Sequence, residues 1–201
     1  MGRVSTTGVS DRELVERARR GDTAAFGTLV DRHRVPVFRA VLAALGSREE
    51  AEDVAQEAFV AAHRHLRDFR EDASFKTWLL AIAWRKALTR RRSVKTFVRR
   101  FVQPPEDVEW QVPDQGRSQE QAVLDLELRS QLRREIARLK PSLRDALLLA
   151  AAGEQSYSEV AGVLGIPVGT LKWRVSEARR RIKVRLAEAG YGQGQGPGAR
   201  G

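Results

Sequence analysis

Ser156-Tyr-Ser-Glu-Val-Ala-Gly-Val-Leu-Gly-Ile-Pro-Val-Gly-Thr-Leu-Lys-Trp-Arg-Val-Ser-Glu-Ala-Arg-Arg-Arg181 holds two short helix patterns joined by a turn, and it reads as a helix-turn-helix. Ser156 and Glu159 stand three apart, the spacing at which a hydroxyl and a carboxylate cap a helix start reciprocally. Val160, Leu164, Ile166, Leu171 and Val175 supply apolar contacts, Ala161 is small where the helices would cross, and Gly165 suits a left-handed turn. The second helix, starting near Val168 or Gly169, projects Thr170, Lys172, Trp173, Arg174, Ser176, Arg179 and Arg180. Hydroxyl, cationic and aromatic groups in that mixture suit phosphate and base-edge contacts in a DNA major groove. The alternative is a surface helical hairpin with solvated arginines.

Working outward from this stretch, helix signals dominate and strand alternation is nearly absent. Ser142 with Asp145 predicts the cap of a helix ending near Gly153, and Leu124, Leu128, Leu132, Ile136 and Leu139 form a stripe on a helix that begins about Gln119. Residues 94–118 lose the periodicity: Pro104-Pro105, Pro113 and Gly116 interrupt a stretch with Glu106, Asp107, Glu109 and Asp114, predicting a flexible, acidic linker. Before it, Ser10 with Glu13 and Ser47 with Glu50 repeat the capping pattern. Pro36 predicts a kink or break, and Gly46 a C-terminal cap. Ala51, Val54, Ala55, Ala58, Phe59, Ala62 and Leu66 fall on one helix face and leave Glu52, Asp53, Gln56, Glu57 and Arg64 off it. Phe75, Trp78, Leu79, Ile82 and Ala83 open another helix, which ends in Arg90-Arg91-Arg92. The expected fold is all-α: two small helical domains, residues 11–93 and 119–189, joined by the linker at 94–118. An N-terminal extension (1–10) precedes them, and a Gly-rich tail (190–201), too poor to bury a core, is expected to be disordered.

The 201 residues carry 36 basic side chains, thirty of them arginine, against 26 acidic ones, for a net charge of +10. The excess is not uniform: residues 11–93 hold +4 and 129–189 hold +7, whereas 102–128 hold -6. Two basic blocks flanking an acidic connector fit two polyanion-facing modules on a tether. No cysteine is present, so a disulfide scaffold, a thiol nucleophile and a cysteine-based metal site are excluded. No run approaches the roughly 20 apolar residues that cross a bilayer, and the first ten residues lack a secretory apolar stretch. A cytoplasmic chain with no membrane insertion is expected. His63 and His65 are two apart, which points them in different directions on a helix, and His33 is distant in sequence. With no Gly-rich phosphate loop or nucleophile elbow, neither enzymatic catalysis nor a metal or other cofactor is expected.

At these residues the sequence resembles the extracytoplasmic-function (ECF) sigma factors of bacterial RNA polymerase. Tyr157-Ser-Glu-Val-Ala and Pro167-Val-Gly-Thr-Leu-Lys resemble the family's helix-turn-helix that reads the promoter -35 element. Ala51-Glu-Asp-Val-Ala-Gln-Glu-Ala-Phe59 looks like its polymerase-docking helix, and Phe75-Lys-Thr-Trp-Leu-Leu-Ala-Ile-Ala83 like its -10-reading element. The resemblance implies polymerase binding by Asp53, Gln56, Glu57, Val60 and Arg64. It implies contact with a melted -10 strand by the loop residues Arg70, Asp72, Ala73 and Ser74, where a flipped base is captured, followed by Trp84, Arg85, Lys86 and Arg90. Stacking and cationic groups are what a single strand requires. Phe75 and Trp78 lie at core spacing and are assigned mainly to packing. The -35 readers would be Tyr157, Val168, Gly169, Thr170, Lys172, Trp173, Arg174, Ser176, Arg179 and Arg180. Implied partners are core RNA polymerase, promoter DNA and an anti-sigma factor. The sequence departs from the family pattern at Ala150, Trp173 and Glu177 in the -35 module, and at Glu71, often glycine, and Arg85, often asparagine, in the -10 module. A stand-alone helix-turn-helix regulator would explain residues 156–181 without polymerase, but not the N-terminal block.

Overall fold

The computed structural model describes residues 8–93, 119–153 and 155–191, with side chains at all of them except 93 and 119–126. Regular structure among the described residues is entirely helical. The linker expected at 94–118 and the tail beyond residue 191 lie outside the described residues.

Helix α1 (Asp11–Arg19) starts where the Ser10 hydroxyl accepts the Glu13 N–H, and α2 (Thr23–Leu45) where Asp22 accepts that of Ala25. α2 ends on Gly46, whose φ of 70° is the left-handed cap that glycine adopts without a Cβ penalty. Of the kink or break expected at Pro36 the break is absent: α2 continues through it to Leu45. An interior proline costs about 3 kcal/mol or more. Leu29 and His33 before it, and Val37, Ala40, Val41 and Ala44 after it, are all buried, so packing on both sides offsets that cost. α3 (Arg48–Arg64) buries the predicted Ala51, Val54, Ala55, Ala58 and Ala62, and a short 3₁₀ turn (Leu66–Asp68) leads toward α4 (Phe75–Ser93). Helices α2, α3 and α4 pack on one another, and α1 packs on α2. Asp11 of α1 fixes that register by accepting from Arg32 at 2.9 Å and lying 2.6 Å from the buried His33 ring.

The C-terminal set comprises α5 (Gln119–Arg138), α6 (Pro141–Ala151), α7 (Tyr157–Leu164) and α8 (Val168–Leu186), closed by a π turn (Ala187–Tyr191). The expected Ser142 cap is not formed: Lys140 holds the cap position and α6 begins at Pro141, two residues before the start that a Ser142 cap would set, with no side-chain cap. Proline is favoured there because its missing N–H would have had no intrahelical acceptor. Asp145 is thereby left for another partner. Glu135 is buried at 1% exposure and holds this set together, accepting from Arg138 of its own helix and Arg185 of α8.

The two helical sets do not stand apart as separate beads. Ala146 and Leu149 of α6 and Val160, Ala161 and Val163 of α7 belong to the same buried cluster as Leu29, Leu79, Leu80 and Trp84. Helix periodicity reports which face of an element is buried, but not against which distant element.

Candidate nucleic-acid interface

The helix-turn-helix forms as its residues dictate. Ser156 and Glu159 make the full reciprocal cap: the Glu159 N–H donates to the Ser156 hydroxyl at 3.2 Å, and the Ser156 N–H donates to the Glu159 carboxylate at 2.8 Å. Burial would raise the Glu159 pKa, but the Ser156 N–H and Lys76 hold it below its ordinary value. Gly165 takes the left-handed turn at φ 64°. In α8, Leu171, Val175, Ala178 and Ile182 face inward and are buried. The opposite face presents Val168, Gly169, Lys172, Trp173, Ser176, Arg179 and Arg180 to solvent, with Trp173 62% exposed. Thr170, Arg174 and Tyr157 are half-buried at its margin.

Glu177 changes the electrostatics of that face. Its carboxylate accepts two bonds from Arg180, at 2.8 and 2.9 Å, and one from Arg181 at 2.7 Å. Hydrogen bonds from Arg180, then Arg181, pull its pKa down to about 2. Two of the cations on this helix therefore spend part of their charge on an internal partner.

On α3, the side chains of Asp53, Gln56, Glu57, Val60 and Arg64 surround one open concavity of about 550 Å³, together with His65 and Lys86. Beside it runs an apolar groove of about 490 Å³ between α2 and α3, lined by Phe26, Val30, Phe38, Phe59 and Val60. Phe59 stood on the predicted core face of α3, whereas Val60 had been assigned to docking. Glu57 also accepts from Lys86 at 3.3 Å and from Arg90 at 2.8 Å, linking α3 to α4. The partners lie 29 and 33 residues apart in sequence, and no short-range signal could have paired them.

The loop before α4 keeps Arg70, Asp72, Ala73 and Ser74 exposed. Arg19 anchors it, donating to the carbonyls of Leu66 and Phe69 and to Glu71. Glu71 has φ 62°, the conformation that explains why glycine suits this position, and Arg12 and Arg19 clamp its carboxylate. The Ser74 hydroxyl is engaged in capping α4, accepting the Thr77 N–H at 3.1 Å. Phe75 and Trp78 stack with Phe69 in an aromatic cluster, as their core spacing predicts. Arg85 is exposed. Trp84 corrects the sequence reading: it is 2% exposed, so in this arrangement it offers no face to a base. Among the described residues, no group of His, Asp and Glu side chains could hold a metal ion, and no helix is long and apolar enough to cross a membrane.

These surfaces lie where sequence comparison places two known modules. Residues 29–96 match Sigma-70 region 2, and residues 129–182 match Sigma-70 region 4. The RNA polymerase sigma-H factor of Pseudomonas aeruginosa is 36% identical over 88% of this chain and 93% of its own length. The ECF RNA polymerase sigma factor SigW of Bacillus subtilis is 30% identical over 88% and 97%. The chain belongs to the ECF sigma factors. Among solved structures, CnrH in complex with the cytosolic domain of CnrY is 28% identical and superposes with a TM-score of 0.63, covering 89% of the chain and 97% of CnrH. The sigma factor thus works with RNA polymerase in transcription initiation at promoters, and a stand-alone regulator is not favoured.

Proposed function

We propose that residues 11–93 dock this sigma factor on core polymerase and read the -10 element, and that residues 119–189 read the -35 element, with 94–118 connecting them. Docking uses Asp53, Gln56, Glu57, Val60 and Arg64. The observation that carries this reading is their convergence on one concavity, with exposed carboxylates suited to a basic partner. The -10 strand is met by Arg70, Asp72, Ala73 and Ser74, then by Arg85, Lys86 and Arg90, which supply charge along the backbone. The -35 duplex is met by the outer face of α8, with Tyr157, Thr170 and Arg174 at its edge. The protein carries out no bond chemistry of its own and acts in the cytoplasm, where polymerase is.

The test is binding of labelled chain to core polymerase. Glu57→Arg with Asp53→Arg should weaken association roughly tenfold or more, because it sets like charges across a docking face. Arg179→Glu should leave association unchanged and reduce promoter binding by the assembled holoenzyme. Equal core affinity for the wild type and the double charge reversal would reject the docking assignment. An anti-sigma factor is a further partner in this reading; CnrH is found with the cytosolic domain of CnrY, and the apolar groove beside Val60 is a surface that such a partner could use.

A further inference from the structure

Helix α1 contributes no residue to the surfaces assigned above to polymerase or DNA, yet two of its arginines converge on the loop before α4. Arg12 and Arg19 stand seven residues apart, close to two turns, and so share one face of α1. Each donates to a different oxygen of the Glu71 carboxylate, Arg12 at 3.1 Å and Arg19 at 3.2 Å. Arg19 also donates to the carbonyl of Leu66, at 3.1 Å, and to that of Phe69, and its guanidinium carbon lies 5.8 Å from the centre of the Phe69 ring. One planar, five-donor side chain thereby ties three points of the chain between residues 66 and 71. Phe69 is itself buried against Phe75 and Trp78, so the clamp is continuous with the aromatic cluster at the start of α4.

Glu71 is held in a conformation that its own side chain disfavours. Among the described residues it is the only non-glycine with a positive φ, at 62°, where a Cβ crowds the following carbonyl and glycine escapes the clash. A glycine would enter this conformation freely and leave it as freely. A glutamate gripped at both oxygens is confined to it. Beyond Glu71 the Ser74 hydroxyl accepts the Thr77 N–H, so Asp72 and Ala73 are exposed between two fixed ends.

We propose that Arg19, Arg12 and Glu71 are positioning residues for -10 reading, through which α1 presets the loop in the form that meets an unpaired base. The proposal rests on the assignment of Asp72, Ala73 and Ser74 to the melted strand made above. A loop ordered in the free protein does not have to be ordered at the moment of capture, so more of its contact energy appears as affinity for the base. Arg19 is the principal member. Its side chain is mostly buried and reaches backbone carbonyls as well as Glu71, whereas that of Arg12 is exposed, and an exposed ion pair contributes little.

The test uses the full-length chain assembled with core polymerase, and fork-junction DNA made from a promoter mapped by run-off transcription, with its -10 element single-stranded. Each -10 base is replaced in turn by an abasic site, and the ratio of the two dissociation constants gives the penalty for losing that base. Wild type should show a penalty of at least tenfold at one or more positions, and Arg19→Ala should reduce it at least threefold. Core-polymerase affinity and holoenzyme affinity for the -35 duplex should both stay within twofold of wild type. Glu71→Gly provides the second variant: it removes the clamp while relieving the positive-φ conflict, so it tests the same point without endangering the fold, and it should reduce the penalty to a similar extent. A wild-type penalty that both variants retain, whatever happens to their urea midpoints, overturns the positioning role and leaves the -10 assignment standing. No penalty at any -10 position in wild type overturns that assignment and the positioning role with it.

Discussion

The helix-turn-helix at residues 156–181 and the α3–α4 pair differ in how far apart their determining partners lie. In the former, a cap of i,i+3 residues, a left-handed glycine and an apolar stripe act within a few residues of one another. In the latter, Glu57 reaches 29 and 33 residues along the chain to Lys86 and Arg90, and Arg19 holds a loop some 50 residues away. A surface built from local signals keeps its form and exposure whatever it packs against. One built from long-range pairs depends on the packing of the whole chain.

The largest effect should come from the core that the two regions share. Leu171→Ala removes a fully buried side chain and should destabilise the protein by about 2–5 kcal/mol in urea unfolding. Because Leu171 belongs to the same buried cluster as Leu79 and Leu80, unfolding should remain one transition; two separate midpoints would mean that the regions are independent. Next in size, Arg179→Glu should lower holoenzyme affinity for promoter duplex roughly tenfold and reduce the log-log salt slope by about 0.9, the share of one phosphate contact. An unchanged slope would remove Arg179 from the phosphate-contacting set. Ser156→Ala deletes both the hydroxyl that caps α7 and half of a reciprocal pair, and should cost about 1 kcal/mol, measured by the same denaturation.

The smallest effect concerns Glu177. Glu177→Gln should free Arg180 and Arg181 and tighten -35 duplex binding a few-fold, with a salt slope steeper by up to about one phosphate equivalent. The carboxylate also has a pH signature. Its folded pKa, about 2, lies below the ordinary value of 4.5, so its stabilising contribution is fully present above about pH 4.5 and is lost as pH falls through about 2. A side-chain carboxyl titration by NMR should find Glu177 still ionised at pH 3.5; half-protonation near pH 4.5 would show that the arginine clamp is not formed in solution.

The same contrast explains what the sequence disclosed. The caps at Ser10, Ser47 and Ser156, the left-handed Gly46 and Gly165, the buried stripe of α3 and the exposed face of α8 were all legible, because each follows from spacing within one or two turns. Ser142 misled because Pro141 supplied a competing helix start with its cap at Lys140, two residues earlier, and the break expected at Pro36 is absent because packing on both sides outweighed its local cost. Trp84 was assigned to a base-stacking surface from its aromatic ring and basic neighbours, yet it is buried in a cluster that gathers side chains from both helical sets. Nothing periodic encodes that contact. The pairings of Arg91 with Asp145 and Glu57 with Arg90 were hidden for the same reason: a charged residue off the core stripe looks alike whether its partner is water, a distant side chain or a polyanion.

Run-off transcription with core polymerase on fragmented DNA from the source genome, with and without this chain and with every start mapped, tests the central claim directly. The account predicts new starts that share two upstream elements and disappear when Asp53 and Glu57 are both reversed to arginine. No new starts, despite tight and sequence-specific duplex binding by the chain alone, would contradict it.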